Sequence, residues 1–105
     1  MSYGYWIAHV SISDPDAYKD YVTANAEAFS KYGAEFLVRA GAFETMEGDA
    51  SGDRHVVIRF PSYAAALECY HSDEYAHAKS IRANAAVSNL IVVEGYEGPQ
   101  PTQAG

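Results

Sequence analysis

The stretch that most constrains the fold runs from Phe60 to Arg82 and has the sequence FPSYAAALECYHSDEYAHAKSIR. Ser62 and Ser72 are of the residue types that cap helix N-termini, and each precedes a run with apolar residues at helical spacing. The stretch therefore predicts a strand that ends at Phe60, followed by two short helices with a shared apolar face. A helical face of this kind is buried most simply against a β-sheet. We expect the rest of the chain to supply that sheet.

The segment at the start of the chain predicts one strand and one long helix. The strand, Tyr3 to Ile12, is rich in aromatic and β-branched residues. Asp14 is a favourable N-cap with Pro15 directly behind it, and Gly33 is typical of the residue that follows a helix C-terminus. Between these ends, one stripe at helical spacing consists of Tyr18, Tyr21, Val22, Asn25, Phe29 and Tyr32.

Further strands complete the pattern. They are Glu35 to Ala40 with a continuation from Phe43 to Glu47, Arg54 to Phe60 after the turn GDASGD, and Asn89 to Tyr96. The order β-α-β-β-α-β, with two right-handed crossovers and both helical layers on one side of an antiparallel sheet, predicts an α+β, ferredoxin-like fold. We expect a single domain over residues 1–96 and a flexible tail, rich in Pro and Gly, over residues 97–105.

The composition excludes several classes of partner. The 105 residues are 49% hydrophobic and 20% charged, with a net charge of −7. These values are ordinary for a globular protein, and the negative charge disfavours nucleic acids and anionic membranes. No apolar run is long enough to span a bilayer, and the N-terminus lacks the features of a signal peptide. The single cysteine, Cys69, favours a reducing compartment and a position in the core or near the surface rather than a role as a nucleophile. We therefore expect a cytoplasmic protein with no nucleic-acid or membrane partner.

Alternation along the strands divides the predicted sheet into two faces. The face expected under the helices is wholly apolar and consists of Trp6, Ala8, Val10, Ile12, Phe36, Val38, Val56, Ile58, Phe60, Ile91 and Val93. The second face consists of Tyr5, Ile7, His9, Leu37, Arg39, His55, Val57, Arg59, Leu90, Val92 and Glu94. It is too apolar to be left in water, and a second copy of the same face is the simplest cover. The sequence therefore predicts a homodimer in which two sheets enclose a polar-lined cavity.

The polar residues of the second face are the candidate functional residues. In the strand order 4-1-3-2, His9, Arg59 and Glu94 come from adjacent strands and could meet. Arg59 could bind an anionic or carbonyl-bearing ligand, with His9 as the group that transfers a proton near neutral pH. Alternatively, Arg59 and Glu94 pair with each other and His9 fills the cavity. The candidate ligand-binding residues are Tyr5, Arg39, His55, Arg59, Tyr63, Tyr70 and Glu94, with His9 as the candidate catalytic residue.

No cofactor or metal motif is present in the sequence. A metal held by His9, His55 or Glu94 has no diagnostic ligand spacing to support it. Glu74 with His77 resembles one limb of a di-iron site, but the other limbs are missing. No phosphate-binding glycine loop or zinc-binding motif occurs. We expect a protein without a cofactor.

Several local motifs resemble a known family. They are Asp14-Pro15 with Tyr18, the strand Phe36-Leu-Val-Arg39, and Phe60-Pro-Ser-Tyr63 followed by Tyr70 and Ser72-x-Glu74-Tyr75. Together they resemble the domain-of-unknown-function family numbered 1330 over nearly the whole chain. The resemblance implies membership of the dimeric α/β-barrel superfamily, in which two ferredoxin-like subunits join by their sheets. That superfamily mixes cofactor-free monooxygenases, haem-degrading enzymes, isomerases and stress-associated proteins, so the resemblance implies no particular reaction.

Two functional hypotheses follow from these features. In the first, a cytoplasmic homodimer binds a small anionic or aromatic organic molecule in a cavity on the second face. Its enzymatic form is a cofactor-independent oxygenase, isomerase or lyase that uses His9 for proton transfer. In the alternative, the protein is a non-catalytic structural or stress-associated interaction module with a closed pocket.

Overall fold

A computed structural model describes residues 2–49 and 52–102 of the chain. Its elements are β1 (Gly4–Ile12), α1 (Pro15–Tyr32), β2 (Glu35–Arg39), β3 (Arg54–Phe60), α2 (Tyr63–Tyr70), α3 (Asp73–Arg82) and β4 (Ala86–Glu94). The strands form one antiparallel sheet in the order β2-β3-β1-β4. The predicted α+β class and strand order are confirmed. None of the helices in the described residues combines the length and apolarity that crossing a bilayer requires.

The helix ends lie where the capping residues predict them. The Asp14 carboxylate accepts a hydrogen bond from the Ala17 amide, and Gly33 ends α1 in the left-handed region with a φ of 73°. Ser62 and Ser72 accept hydrogen bonds from the backbone amides of the first turns of α2 and α3, at 3.0 Å and 3.1 Å. Each such cap is worth about 1 kcal/mol. Because these contacts are local, the sequence alone suffices to predict them.

The strand predicted from Glu35 to Ala40 ends at Arg39, and its predicted continuation from Phe43 to Glu47 is wrong. Ala40 has a φ of 57°, and residues 41–47 form neither strand nor helix. A β-bulge between Phe36 and Val38 also shifts the register, so that Val38 pairs with Val57 and Arg39 pairs with Val56. As a result, Val38 lies on the face away from the helices and Arg39 lies on the helix side, the reverse of the prediction. Residues 50 and 51 of the predicted turn lie outside the described residues.

The predicted face of β4 is also inverted. The strand begins at Ala86, three residues earlier than predicted, and pairs Trp6 with Val92 and Ile7 with Ile91. Val92 therefore packs against the core, whereas Ile91 is 59% exposed on the other side of the sheet. Glu94 pairs with Gly4 and takes the helix side. The run Leu90–Val93 is apolar throughout, so alternation does not reveal which of its residues face the helices.

We call the side of the sheet away from the helices the open face. It consists of Tyr5, Ile7, His9, Val38, His55, Val57, Arg59, Val87, Asn89, Ile91 and Val93. Its apolar members give the molecule one uncovered side. The molecule is a thin slab, with principal extents of 51, 33 and 16 Å.

The core lies between the sheet and the helices and centres on Trp6, which is 1% exposed. Its indole ring contacts Phe29, Phe60, Tyr70 and Tyr75, with ring centroids 4.9–5.7 Å apart. The indole Nε1–H donates to the Ala66 carbonyl oxygen at 2.8 Å, which fixes α2 over the sheet. Trp6 thus joins β1 to every helix of the layer above it.

Cys69 lies in the core rather than near the surface, and its thiol should be unreactive in the folded protein. It is fully buried, and burial raises the pKa of the thiol to about 12. Because the thiolate is the reactive form, we expect less than one-tenth of the protein to react with a disulfide reagent in an hour at pH 8. Complete labelling should follow on adding a denaturant. Stoichiometric labelling of the native protein within minutes would contradict this prediction.

Candidate functional site

The structure distributes the eight sequence-predicted site residues over four places. Tyr5, His9, His55 and Arg59 lie together on the open face. Arg39 lies on the helix side, because the bulge between Phe36 and Val38 shifts the register of β2. Tyr63 and Glu94 line a surface depression at the start of α2, and Tyr70 lines another between α2 and β4. The expectation that Arg39 and Glu94 point towards the open face is wrong.

On the open face, His9 and His55 are directly opposite each other on neighbouring strands. Their Nδ1 atoms are 2.8 Å apart, so one ring donates a hydrogen bond and the other accepts it. The ring of Phe43 packs against His55 with a centroid distance of 4.3 Å. His9 is therefore oriented by His55, and a role for His9 in proton transfer stays a prediction.

Arg59 pairs with a residue that the sequence does not single out. Its Nη2 lies 2.7 Å from Oε2 of Glu35, which is opposite it on β2, and its guanidinium lies 4.4 Å from the ring centroid of Tyr3. Glu94 instead accepts a hydrogen bond from the Ser2 hydroxyl at 3.3 Å, on the helix side of the sheet. The alternative in which Arg59 and Glu94 pair is therefore wrong, because the register of β4 places the two side chains on opposite faces.

A concave site that the sequence does not predict lies between the helices and the sheet. We call it the helix–sheet cavity; its volume is about 30 Å³. Its apolar wall comes from the core and includes Trp6, Phe29, Phe36 and Leu90. Its polar wall includes Tyr18, Tyr21 and Asn25 of α1, Ser88 of β4 and three arginines. The site thus combines an apolar interior with several polar side chains, and its size suits one small polar group rather than a whole small molecule.

The three arginines are Arg39, Arg54 and Arg82, out of four in the whole chain. Arg54 lies opposite Val10 on the helix side, and its guanidinium is 5.3 Å from the ring centroid of Tyr18. Arg39 stacks over Phe36 at 4.0 Å. Their convergence is unexpected in a chain of net charge −7. Neither Asp nor Glu is among the described residues that line this cavity, so its charged lining suits an anion.

Two buried polar atoms of this cavity lack partners. Arg54 Nε and Ser88 Oγ form no hydrogen bond with the described residues. Asn25, also on the wall, is only 5% exposed. A buried donor without a partner costs about 1–3 kcal/mol, and native proteins rarely leave such groups unpaired. A polar ligand in the cavity would supply the missing partners.

A hydrogen-bonded chain of side chains adjoins the same cavity. The hydroxyl oxygens of Tyr21 and Tyr75 are 2.7 Å apart, and Arg82 Nη1 donates to the Tyr75 hydroxyl oxygen at 2.7 Å. Burial raises the pKa of Tyr75 far above its usual range, so this hydroxyl stays protonated. Burial likewise raises the pKa of Tyr18. Tyr18 and Tyr75 therefore serve as neutral hydrogen-bonding groups.

One feature of the sequence could have revealed part of this cavity. Arg54 has the same alternation as Val56, Ile58 and Phe60, so it is a charged residue on an otherwise apolar face. Arg82 and Ser88 give no comparable indication, because their positions depend on how α3 and β4 pack. Among the described residues, no group of three or more His, Cys, Asp or Glu side chains is arranged to hold a metal ion.

The chain has a ferredoxin-like α+β fold, which is also the fold of its solved structural neighbours. A family model narrows this assignment. The domain of unknown function DUF1330 matches residues 3–96, so the chain belongs to that family and the resemblance seen in the sequence is confirmed. Comparison with curated proteins gives no match.

Solved structures with the same fold include three that bear on the class. A protein of unknown function from Rhodopseudomonas palustris, RPA0582, has a TM-score of 0.72 at 20% identity and covers 92% of this chain and 85% of its own. SnoaB, a cofactor-independent oxygenase from Streptomyces nogalater, has a TM-score of 0.62 at 10% identity, with coverages of 96% and 99%. An antibiotic biosynthesis monooxygenase has a TM-score of 0.52 at 16% identity, with coverages of 94% and 100%. At these identities the likeness is one of fold.

Proposed function

We propose that this protein binds a small anionic organic molecule in the helix–sheet cavity and that it does so as a homodimer joined through the open faces. The observation that supports binding is the convergence of three arginines on a cavity with two unpartnered buried polar atoms, Arg54 Nε and Ser88 Oγ. This site replaces the pocket expected on the open face. There, the described contacts already pair Arg59 with Glu35 and His9 with His55.

The shape and charge of the cavity restrict the class of ligand. Arginine forms paired hydrogen bonds with carboxylates and other planar anions, and aromatic walls favour a flat apolar body. A volume of about 30 Å³ admits a small charged group but not a whole ring. Arg39 is exposed as well as lining the cavity, so its side chain can move outwards to admit the rest of the ligand. An aromatic or short aliphatic carboxylate, or a phenolate, fits these requirements.

The proposal concerns binding only, because His9, the candidate catalytic residue, does not line this cavity. His9 lies on the open face, whereas the cavity lies on the helix side of the same strand. Proton transfer by His9 would therefore act on a different ligand, at the surface where the two copies meet. Oxygenase activity is stated for SnoaB and for the antibiotic biosynthesis monooxygenase, and this chain shares the fold with both.

We expect anionic ligands to stabilise the protein in a manner that depends on Arg54. Benzoate and 4-hydroxybenzoate at millimolar concentration should raise the melting temperature, whereas the neutral analogue benzamide should not. Arg54→Gln removes a charged donor, which is worth about 1.5–3 kcal/mol, so the benzoate affinity should fall about 10- to 100-fold. Thermal shifts measured over a ligand titration give the affinities.

Lys19→Gln is the matched control, because Lys19 is an exposed cation on α1 outside the cavity and the change removes the same charge. Its ligand-dependent shift should equal that of the wild type. If Arg54→Gln and Lys19→Gln lower the benzoate affinity equally, the change in net charge explains the loss and the cavity does not. If no anion raises the melting temperature of the wild type, the alternative of an interaction module with a closed cavity is favoured.

The proposed homodimer forms through the open face of the sheet. Tyr5, Ile7, Val38, Val57, Val87, Ile91 and Val93 give this face a continuous apolar surface. Val38, Val87, Ile91 and Val93 are each more than a third exposed, and a contiguous exposed apolar patch often marks an interaction site. A second copy of the same face would cover it with a two-fold, self-complementary contact.

A further inference from the structure

Tyr21 is the cavity residue whose hydroxyl proton is left over by the surrounding hydrogen bonds. Arg82 can only donate, so the Tyr75 hydroxyl oxygen, 2.7 Å from Arg82 Nη1, is the acceptor of that bond. Tyr75 is fully buried and must place its own proton on an acceptor. The Tyr21 hydroxyl oxygen, at 2.7 Å, is within reach of it. The direction is therefore from Arg82 to Tyr75 and from Tyr75 to Tyr21.

The reverse direction is disfavoured by the cost of an unpaired donor. If Tyr21 donated to Tyr75, the Tyr75 oxygen would accept two hydrogen bonds and its own proton would have no partner among the described contacts. In either direction one hydroxyl proton has no partner among the described contacts, but only the proton of Tyr21 borders a space in which a ligand can accept it. Tyr21 lines the helix–sheet cavity and Tyr75 does not. The proton of Tyr21 is thus available to a group inside the cavity.

We propose that Tyr21 donates a hydrogen bond to a single anionic oxygen of the ligand, a phenolate or an enolate, and that Tyr75 and Arg82 are positioning residues that strengthen this donor. The inference rests on the proposed binding cavity and narrows its ligand class. Hydrogen bonds in a chain polarise one another, and the chain begins at a permanent cation. The arginines attract any anion, whereas one fixed hydroxyl donor favours an oxygen on which the negative charge is localised.

The test uses nitrophenols that differ in basicity but little in size, namely 4-nitrophenol, 2-fluoro-4-nitrophenol and 2,6-difluoro-4-nitrophenol, at a pH at which all are ionised. Their visible absorption reports both binding and hydrogen bonding to the phenolate oxygen. The wild type should bind the most basic phenolate most tightly and shift its absorption to shorter wavelength. Tyr21→Phe should weaken that binding about 10-fold or more and abolish the dependence on basicity. Tyr75→Phe should weaken it about threefold, in the same direction.

Tyr32→Phe is the control, since Tyr32 is on the same helix as Tyr21 but does not line the cavity. It should leave the affinities and spectra unchanged. Circular dichroism verifies that each variant is folded, and Tyr21→Phe and Tyr75→Phe are separate tests of the same chain.

The possible results distinguish failure of the role of Tyr21 from failure of anion binding in the helix–sheet cavity. If the nitrophenolates bind in an Arg54-dependent manner but Tyr21→Phe keeps the same affinities and the same dependence on basicity, the role of Tyr21 is overturned and the cavity stands. If carboxylates bind and no phenolate does, the phenolate class is overturned. If no anion of either kind binds, both proposals fall.

Discussion

Trp6→Ala is expected to lower the free energy of unfolding by about 3–5 kcal/mol, the range for removing a fully buried Trp or Phe side chain. Trp6 is the largest buried residue and contacts four aromatic rings from α1, β3, α2 and α3. Truncation would leave a large void that these rigid rings cannot fill. The loss is a large share of the 5–15 kcal/mol that stabilises a typical domain.

Chemical denaturation followed by circular dichroism measures this loss, because the variant has no tryptophan left to report by fluorescence. Tyr96→Ala is a suitable control. Tyr96 is an exposed aromatic whose hydroxyl donates to the Pro99 carbonyl oxygen in the tail, so we expect a change within about 0.5 kcal/mol. All proteins must be compared at one chain concentration, since the proposed dimer would be stabilised by mass action. A loss below about 1 kcal/mol for Trp6→Ala would contradict the central place of this residue.

Features set by local contacts could be predicted from the sequence. The caps at Asp14, Ser62 and Ser72, and the left-handed Gly33, each depend on residues within a few positions along the chain. They define the helices, and the order of helices and strands then leaves few topologies open. This is why the fold class and the strand order could be predicted.

Features set by register could not be predicted in the same way. The run Leu90–Val93 has no polar residue to mark a face, so only pairing with β1 decides which side chains point inwards. The bulge between Phe36 and Val38 depends on the partner strand and reverses the facing of Arg39. Both errors affected the predicted site, because they placed Arg39 and Glu94 on the open face.

The candidate site likewise has one part that could be predicted from the sequence and one part that could not. His9, His55 and Arg59 lie on strands with clear alternation, and their common face was predicted. The helix–sheet cavity depends on contacts between distant segments, such as the hydrogen bonds that join Tyr21 of α1 to Tyr75 and Arg82 of α3. Only Arg54, a cation in the alternation of an apolar face, gave a sign of it in the sequence.

Ile91→Glu is expected to convert the proposed dimer to a monomer at micromolar concentration. Ile91 is 59% exposed in the protomer, so a glutamate there is tolerated by the isolated fold. In a two-fold contact through the open face, both copies would lose an apolar side chain worth about 1.5–3 kcal/mol on burial and would bury a carboxylate instead. Two such losses raise the dissociation constant by about 100-fold or more. Sedimentation velocity over a range of protein concentrations measures that constant.

Ala26→Glu distinguishes loss of the contact from a general effect of added charge. Ala26 is exposed on α1, in the helix layer on the other side of the sheet from the open face. This variant should dimerise as the wild type does, because it adds the same negative charge outside the proposed contact. A wild type that stays monomeric at tens of micromolar, or an Ile91→Glu variant with the dissociation constant of the wild type, would show that another partner covers the open face. The benzoate titrations would be unaffected by that result, since Arg54 and the cavity lie on the opposite side of the sheet.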